Sequence, residues 1–281
     1  MRIAVTGAAG ALGRSLVATF GDQHELVPFA HEDLAVEDLS AVMDRLVPAE
    51  PEVIVHAAAM TSVDGCEEDP RGAFLANALG TRNVAQAAAR AGAILAYVST
   101  DYVFDGEKGE PYHEFDVPSP ISVYGKSKLA GEWEARTLAP DHLIVRTSWV
   151  FGGGRDFLSG ALGRLAKGES VPAIVDLIGT PTYVRHLADR LVPLVVSGNR
   201  GVVHLGGPEV TTWHDLLTRA VVLAGLPGEV TEQKADELGR PARRPANSAL
   251  TSLVQQSNAV PPMPPLEEAL EEVIEVVRGQ R

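Results

Sequence analysis

Residues 6–13 read TGAAGALG. They follow RIAV, a short β-rich run starting at residue 2, and they open into ALGRSLVATF, whose apolar residues recur at helical spacing. A strand, a turn with glycines at positions 7, 10 and 13, and a helix therefore succeed one another at the start of the chain. Glycines in such a turn permit a tight reversal and let a pyrophosphate approach the N–H groups of the helix N-terminus. Gly7, Gly10, Ala11, Leu12 and Gly13 are thus expected to hold the phosphates of a dinucleotide. The Gly-x-x-Gly-x-x-Gly spacing is a variant of the usual fingerprint.

The next 140 or so residues repeat the alternation. HELVPFA (24–30), EVIVHAAA (52–59), AILAYVST (93–100) and HLIVRTSWVFG (142–152) read as strands. Between them VEDLSAVMDRLVPAE (36–50), RGAFLANALGTRNVAQAAARAG (71–92) and SKLAGEWEARTLA (127–139) read as helices, the second one long and closed by a C-terminal Gly92. Apolar strands separated by helices predict an α/β fold with a Rossmann-like, doubly wound parallel sheet. After about residue 155 the pattern loosens. Helices are expected at 157–168, 184–198, 211–226 (behind a Thr cap) and 264–281, with strands at 170–176 and 201–207. We expect a dinucleotide-binding domain from residues 1–155 plus parts of 175–205, and a smaller C-terminal substrate-binding lobe made mainly of 156–281.

Composition narrows the function. The 281 residues carry a formal charge of −13 and are 45% hydrophobic, enough for a large core. No basic stripe offers itself to a phosphate backbone, so a nucleic-acid partner is not expected. The one cysteine, Cys66, can form no internal disulfide and no thiolate metal cluster. No apolar run approaches the ~18 residues of a membrane span, and the N-terminus has no signal-like apolar region. The expected setting is cytoplasmic, with no membrane association.

Sites for NAD usually end the second strand with an acid that holds the ribose 2′-hydroxyl. Here Ala30 and His31 take that place, and Glu32 and Asp33 follow. A 2′-phosphate meets less repulsion there, with Arg14 or His31 to bind it, so NADPH is the favoured cofactor and NADH the second choice. Ala57, Ala58 and Ala59, just beyond the third strand, are small enough to let a cofactor pass close to the backbone. His56 before them reads as a core histidine.

Two later segments carry the chemistry: STDYVFDG (99–106) and SVYGKSK (122–128). Tyr124 and Lys128, four residues apart, share one helix face. An ammonium there favours tyrosinate and is expected to lower the phenol pKa from about 10. A strand-end hydroxyl, from Ser99 or Thr100, would bond the substrate oxygen. Tyr102 has no lysine at that spacing; Gly106 stands there instead.

With these motifs in this order, together with HAAAMTSVD (56–64), RTSWVFG (146–152) and RPANSAL (244–250), the chain resembles the extended short-chain dehydrogenase/reductases and, more narrowly, the dTDP-4-dehydrorhamnose reductase family. The resemblance runs through essentially the whole chain. It implies NAD(P)H-dependent reduction of the 4-keto group of a dTDP-4-keto-6-deoxyhexose, with Thr100, Tyr124 and Lys128 catalytic. It also places Ser99, Asn77, Tyr124 and Lys128 at the cofactor. Thr61, Val63, Asp101, Tyr102, Trp149, Arg244 and Asn247 would lie around the nucleotide-sugar substrate. Family members often pair, so a homodimer is an expected state; no metal site is implied by any ligand cluster.

Two departures bear on specificity. Ala35 replaces an aspartate after the second strand, and GGGRDF (152–157) replaces a segment ending Asn-Asn-Phe. The sugar-nucleotide dehydratases of this superfamily carry a second carboxylate where Tyr102 stands, so dehydration is not expected. The alternatives carried forward are a 4-ketoreductase for another nucleotide deoxysugar in a specialised pathway and a non-catalytic, NADP-binding regulatory subunit.

Overall fold

The computed structural model describes residues 1–154, 156–254 and 261–279. Arg155, in the loop singled out above, and residues 280–281 of the last expected helix lie outside them. Six parallel strands form the central sheet: β1 (Arg2–Thr6), β2 (Glu25–Phe29), β3 (Val53–His56), β4 (Ile94–Thr100), β5 (His142–Thr147) and, from far down the chain, β10 (Gly201–His204). Their spatial order is β10-β5-β4-β3-β1-β2. Chain direction across the sheet reverses between β1 and β3, the switch point outside which open α/β sheets bind ligands.

Both faces are covered. On one, Ile3, Val5, Val55, Ala96, Leu143 and Val145 pack with Leu16 of α1 (Ala11–Phe20) and with Leu187 and Leu191 of α8 (Val184–Val196). On the other, Ala4, Ile54, Leu95, Tyr97 and Ile144 meet α2 (Leu39–Leu46), α5 (Gly80–Ala91) and α6 (Val123–Leu138). The alternation along each strand is hidden in sequence because both faces are apolar. Gly92, with φ 68°, ends α5 in the left-handed conformation expected of it.

The expected helix over 71–92 is broken. Two short helices, α3 (Val63–Glu68) and α4 (Pro70–Phe74), lead into a π turn, Leu75–Leu79, and only then into α5. Single π turns concentrate at functional sites, and this one carries Asn77. The strand expected over 142–152 is broken as well: β5 stops at Thr147, and β6 (Val150–Phe151) resumes in a different small sheet. Trp149 between them has φ 45°, uncommon for a bulky residue; its ring lies flat against Gly179, which no extended strand would allow.

A second core lies beside the sheet. It joins α7 (Phe157–Leu165), β7 (Ser170–Ile174), α9 (Trp213–Ala224) and α10 (Leu266–Gly279) through Leu158, Leu162, Val171, Leu216, Leu217 and Leu270. Here β8 (Ile178–Gly179) pairs with β11 (Thr211–Thr212), β9 (Thr182–Tyr183) with β6, and β12 (Glu229–Gln233) with β7. Thr212 caps α9 by accepting from Asp215 N–H at 3.1 Å. Among the described residues no helix is long and apolar enough to cross a membrane.

Candidate active site

The glycine turn joins β1 to α1. Gly7 has φ 73°, and a Cβ on it would stand 2.6 Å from Ala58 N. Only glycine lets this turn lie against the small residues 57–58 after β3. Gly10 caps α1 without a side-chain bond, and the first helical turn has no acid. Backbone donors and the positive end of the helix dipole are therefore left for an anion. Ala11 and Leu12 form that first turn.

The expected adenosine end is built by Arg14 and by the residues after β2. The Arg14 guanidinium donates to Ala9 O and, at 2.9 Å, to Gly153 O, tying the turn to the 152–154 loop. In the free protein the guanidinium is thus engaged by two protein carbonyls. His31 is exposed just past β2. Asp33 folds back to accept from Ala30 N–H at 3.0 Å, which spends this acid on the backbone.

Asn77 is fully buried. Its amide accepts from Met60 N–H (2.8 Å) and donates to Met60 O (3.0 Å) and Ser127 Oγ (2.9 Å). The wider π turn sets this side chain between the 57–62 loop and α6. Its amide is committed to bracing two walls of the site, so it organises the site and has no free donor for a cofactor. His56 is likewise a core residue, bonded to Thr6 and Thr81, and burial holds it neutral with a pKa of about 3.

Helix α6 starts at Ser122, whose side chain accepts from Gly125 N–H at 3.1 Å. Glu67 accepts from Val123 N–H at 3.0 Å. A Cβ on Gly125 would collide with Tyr102 O at 2.0 Å, so the glycine after Tyr124 lets the helix press on the segment after β4. That contact brings three expected residues together. The Thr100 hydroxyl donates to Asp101 Oδ1 (2.8 Å) and lies near enough to the Tyr124 phenol to favour its ionised form. The rings of Tyr102 and Tyr124 meet edge to face at 5.8 Å between centroids.

Lys128 Nζ donates to Val98 O at 2.7 Å and lies 4.2 Å from the Tyr97 ring centroid. Burial pulls its pKa down to about 7, against the opposing pull of the Glu132 carboxylate. The expected depression of the Tyr124 pKa is not what the geometry gives. Burial pushes the phenol up, offset in part by Thr100, and the lysine is turned to a backbone carbonyl. Tyr124 is thus a protonated phenol at neutral pH, the form that can donate a proton. Asp101 is also buried, and burial raises its pKa to about 6 although Ser248, Thr100 and Ser148 all bond to it.

Ser99 lies on the other face of β4 and donates to Glu132 Oε1 at 2.7 Å. Strand alternation turns its hydroxyl into the core beneath α6. Glu132 receives two further bonds from Arg146, both at 2.8 Å, and the pair is 0% and 1% exposed. The sequence reading missed Glu132. Its signal was available, because Tyr124, Lys128 and Glu132 are spaced by four along one helix face.

The outer wall is less uniform. Trp149 stacks on Trp213, with ring centroids 4.3 Å apart and planes 7° from parallel. Arg244 donates to Asp64 Oδ2 (2.8 Å) and Ala242 O (2.9 Å), and this partner holds the Asp64 carboxyl below its usual range. Arg244 and Arg240 both act on the Tyr102 phenol, so positive charge borders that end. Asn247 accepts from Ala249 N–H at 3.0 Å, shaping its own loop. Thr61 is exposed, and Val63 opens α3.

A parallel sheet of this order, a glycine turn on its first strand and a Thr–Tyr–Lys set at its rim define a dinucleotide-binding α/β protein of the short-chain dehydrogenase/reductase type. The family model described as the RmlD substrate binding domain matches residues 1–278. The chain belongs to that family, the dTDP-4-dehydrorhamnose reductase family. The dTDP-4-dehydrorhamnose reductase of Aggregatibacter actinomycetemcomitans is 37% identical over 281 residues, covering 93% of this chain and 94% of that protein. A probable dTDP-4,6-dihydroxy-2-methyloxan-3-one 4-ketoreductase of Streptomyces antibioticus is also 37% identical, covering 89% and 86%. The crystal structure of dTDP-4-dehydrorhamnose reductase from Bacillus anthracis in complex with NADP superposes with a TM-score of 0.94, at 34% identity, covering 98% of this chain and 99% of that one.

Proposed function

We propose that this protein reduces the 4-keto group of a dTDP-4-keto-6-deoxyhexose with NADPH, dTDP-4-dehydrorhamnose being the first substrate to test. The observation that carries the reading is the protonated Tyr124 phenol near Thr100, one helical turn from Lys128 and edge-on to Tyr102. The names of the relatives support it: reductases and a 4-ketoreductase acting on dTDP-linked sugars.

The residues present fit the cofactor. A Cβ at position 7 would occupy the space that the turn needs against residue 58, and the uncapped α1 N-terminus offers donors to a pyrophosphate. Bound NADPH would supply the hydride. Gly7, Gly10 and Gly13 would hold its phosphates, and residues 57–59 would border its path along the rim. His31, which stands where sites for NAD usually carry an acid, would accept the 2′-phosphate.

The chain itself handles the proton. Thr100, which in the free protein gives its hydroxyl proton to Asp101, would turn that proton to the sugar oxygen. Tyr124 gives that oxygen its proton as charge develops on it, a role worth roughly 10²–10⁴ in rate. Lys128, which in the free protein donates to Val98 O, would turn to hold the ribose and to stabilise the tyrosinate left behind. Tyr102 and Trp149 form walls of the sugar site, and Arg244 and Arg240 face its diphosphate end. No second carboxylate stands beside Asp101 to remove water, since residue 102 is a tyrosine.

The test is the decay of nicotinamide absorbance with NADPH and dTDP-4-dehydrorhamnose, followed by NMR of the product. Tyr124→Phe is expected to lose most turnover and to keep NADPH affinity within about twofold. Binding without oxidation by the wild-type protein, across several dTDP-4-keto-6-deoxysugars, would leave the regulatory alternative standing instead.

A further inference from the structure

Thr147, the last residue of β5, has a buried hydroxyl with no hydrogen-bond partner. It is 7% exposed. Three neighbouring hydroxyls are satisfied: Thr100 by Asp101, Ser148 by Asp101 at 2.9 Å, and Thr180 by Leu250 N–H at 3.3 Å. A buried orphan hydroxyl is a cost that folding alone does not explain.

Its position is well defined. In the parallel ladder Thr147 is the register partner of Thr100, so the two side chains stand on the same face of adjacent strands, about 4.8 Å apart. That face is shared with α1: Leu143 and Val145, the preceding residues of the same alternation, pack in one cluster with Leu16 of that helix. Thr147 continues the row to the C-terminal rim, two strands beyond β3. A dinucleotide whose pyrophosphate sits on the α1 N-terminus must cross β3 and β4 to put its nicotinamide beside Tyr124. The ring substituent next to the reacting carbon then falls over β5.

We infer that Thr147 is a cofactor-binding residue whose hydroxyl hydrogen-bonds the nicotinamide carboxamide and so fixes which face of the ring meets the sugar. The inference rests on the proposed use of NADPH. A carboxamide suits the site because it brings both a carbonyl acceptor and N–H donors, and a threonine hydroxyl answers either. With the bond made, the ring cannot turn over about its glycosidic link without stranding the hydroxyl again. Thr147 sets orientation, and Tyr124 and Thr100 keep the proton chemistry.

The test uses Thr147→Val and Thr147→Ser in the full chain and reads binding and melting as well as activity. Because the hydroxyl is unpartnered in the free protein, Thr147→Val is expected to melt at the wild-type temperature or above it. Its affinity for NADPH should fall about fivefold to tenfold, the effect of one lost neutral hydrogen bond. Affinity for 2′,5′-ADP, which lacks the nicotinamide, should not change. Thr147→Ser should restore NADPH binding. Wild-type affinity for NADPH in Thr147→Val overturns the inference, as does an equal loss for 2′,5′-ADP or a loss confined to the KM for the sugar. Failure of the wild-type protein to bind NADPH at all removes the proposed cofactor, and this inference with it.

Discussion

Glu132→Gln is the substitution whose consequence the structure sizes best. The carboxylate accepts from Ser99 and takes two bonds from Arg146, and neither charged group reaches solvent. The amide keeps the shape but leaves the Arg146 guanidinium buried beside a neutral group and presents N–H where an acceptor is needed. Breaking a buried pair from one side costs ~3–5 kcal/mol, about a fifth or more of a typical domain's stability. With a urea m-value of ~2–3 kcal/mol/M, the unfolding midpoint should fall by ~1–2.5 M. Tryptophan fluorescence reports it, since Trp149 and Trp213 stack on each other and Trp133 lies on α6 itself. Adding Arg146→Met should recover ~2 kcal/mol or more, because the stranded charge goes with it. The same carboxylate is the main influence holding Lys128 above the value burial would impose. Its loss should move the Lys128 titration below about 7 and shift the alkaline limb of the rate profile to lower pH. A midpoint within ~0.3 M of wild type, or a double variant less stable than the single, would refute the claim that the pair is a buried ionic unit.

Three further outcomes are expected. Gly7→Ala forces a Cβ to 2.6 Å from Ala58 N at φ 73°, and left-handed strain plus overpacking should cost ~2–5 kcal/mol; urea unfolding with and without NADPH measures both stability and cofactor affinity. Asp101 titrates at about 6 in the fold and at 3.8 as a free side chain, so the folded state binds the extra proton between those values and stability declines as pH rises through that window. The span is worth ~3 kcal/mol, and Asp101→Asn should flatten the melting temperature between pH 4 and 7 relative to wild type. His31→Asp should swing the ratio of kcat/KM for NADPH over NADH towards NADH by tenfold or more; an unchanged ratio would move the 2′-phosphate site elsewhere.

Much of this was legible in the sequence for a local reason. The glycine turn, the apolar strands and the Tyr124–Lys128 spacing are each set within a dozen residues, and local patterns determine local structure. What escaped was settled across the chain. Asp64 meets Arg244 over a separation of 180 residues, and Arg146 meets Glu132 from a different element. The π turn at Asn77 has no helical-spacing signature, because its cause is the amide's grip on Met60 and Ser127. Thr147 carries no signal in the sequence, since an unmade hydrogen bond leaves no trace in residue type. The phenol's pKa was misjudged in direction for a kindred reason: spacing shows that a lysine is near, and only coordinates show where its ammonium points.

The strand order also bears on how the protein is made. β5 leaves the ribosome complete at residue 147, but the strand that covers its outer edge, β10, begins only at residue 201. At ~5–20 residues per second, synthesis of the intervening segment takes roughly 3–10 s. For that interval a central, apolar strand is a bare edge, the surface on which chains join one another. The Arg146–His204 contact at 3.4 Å closes the gap when β10 arrives. Substitutions that slow the docking of β10 should therefore lower soluble yield in cells more than they lower the stability of the purified protein.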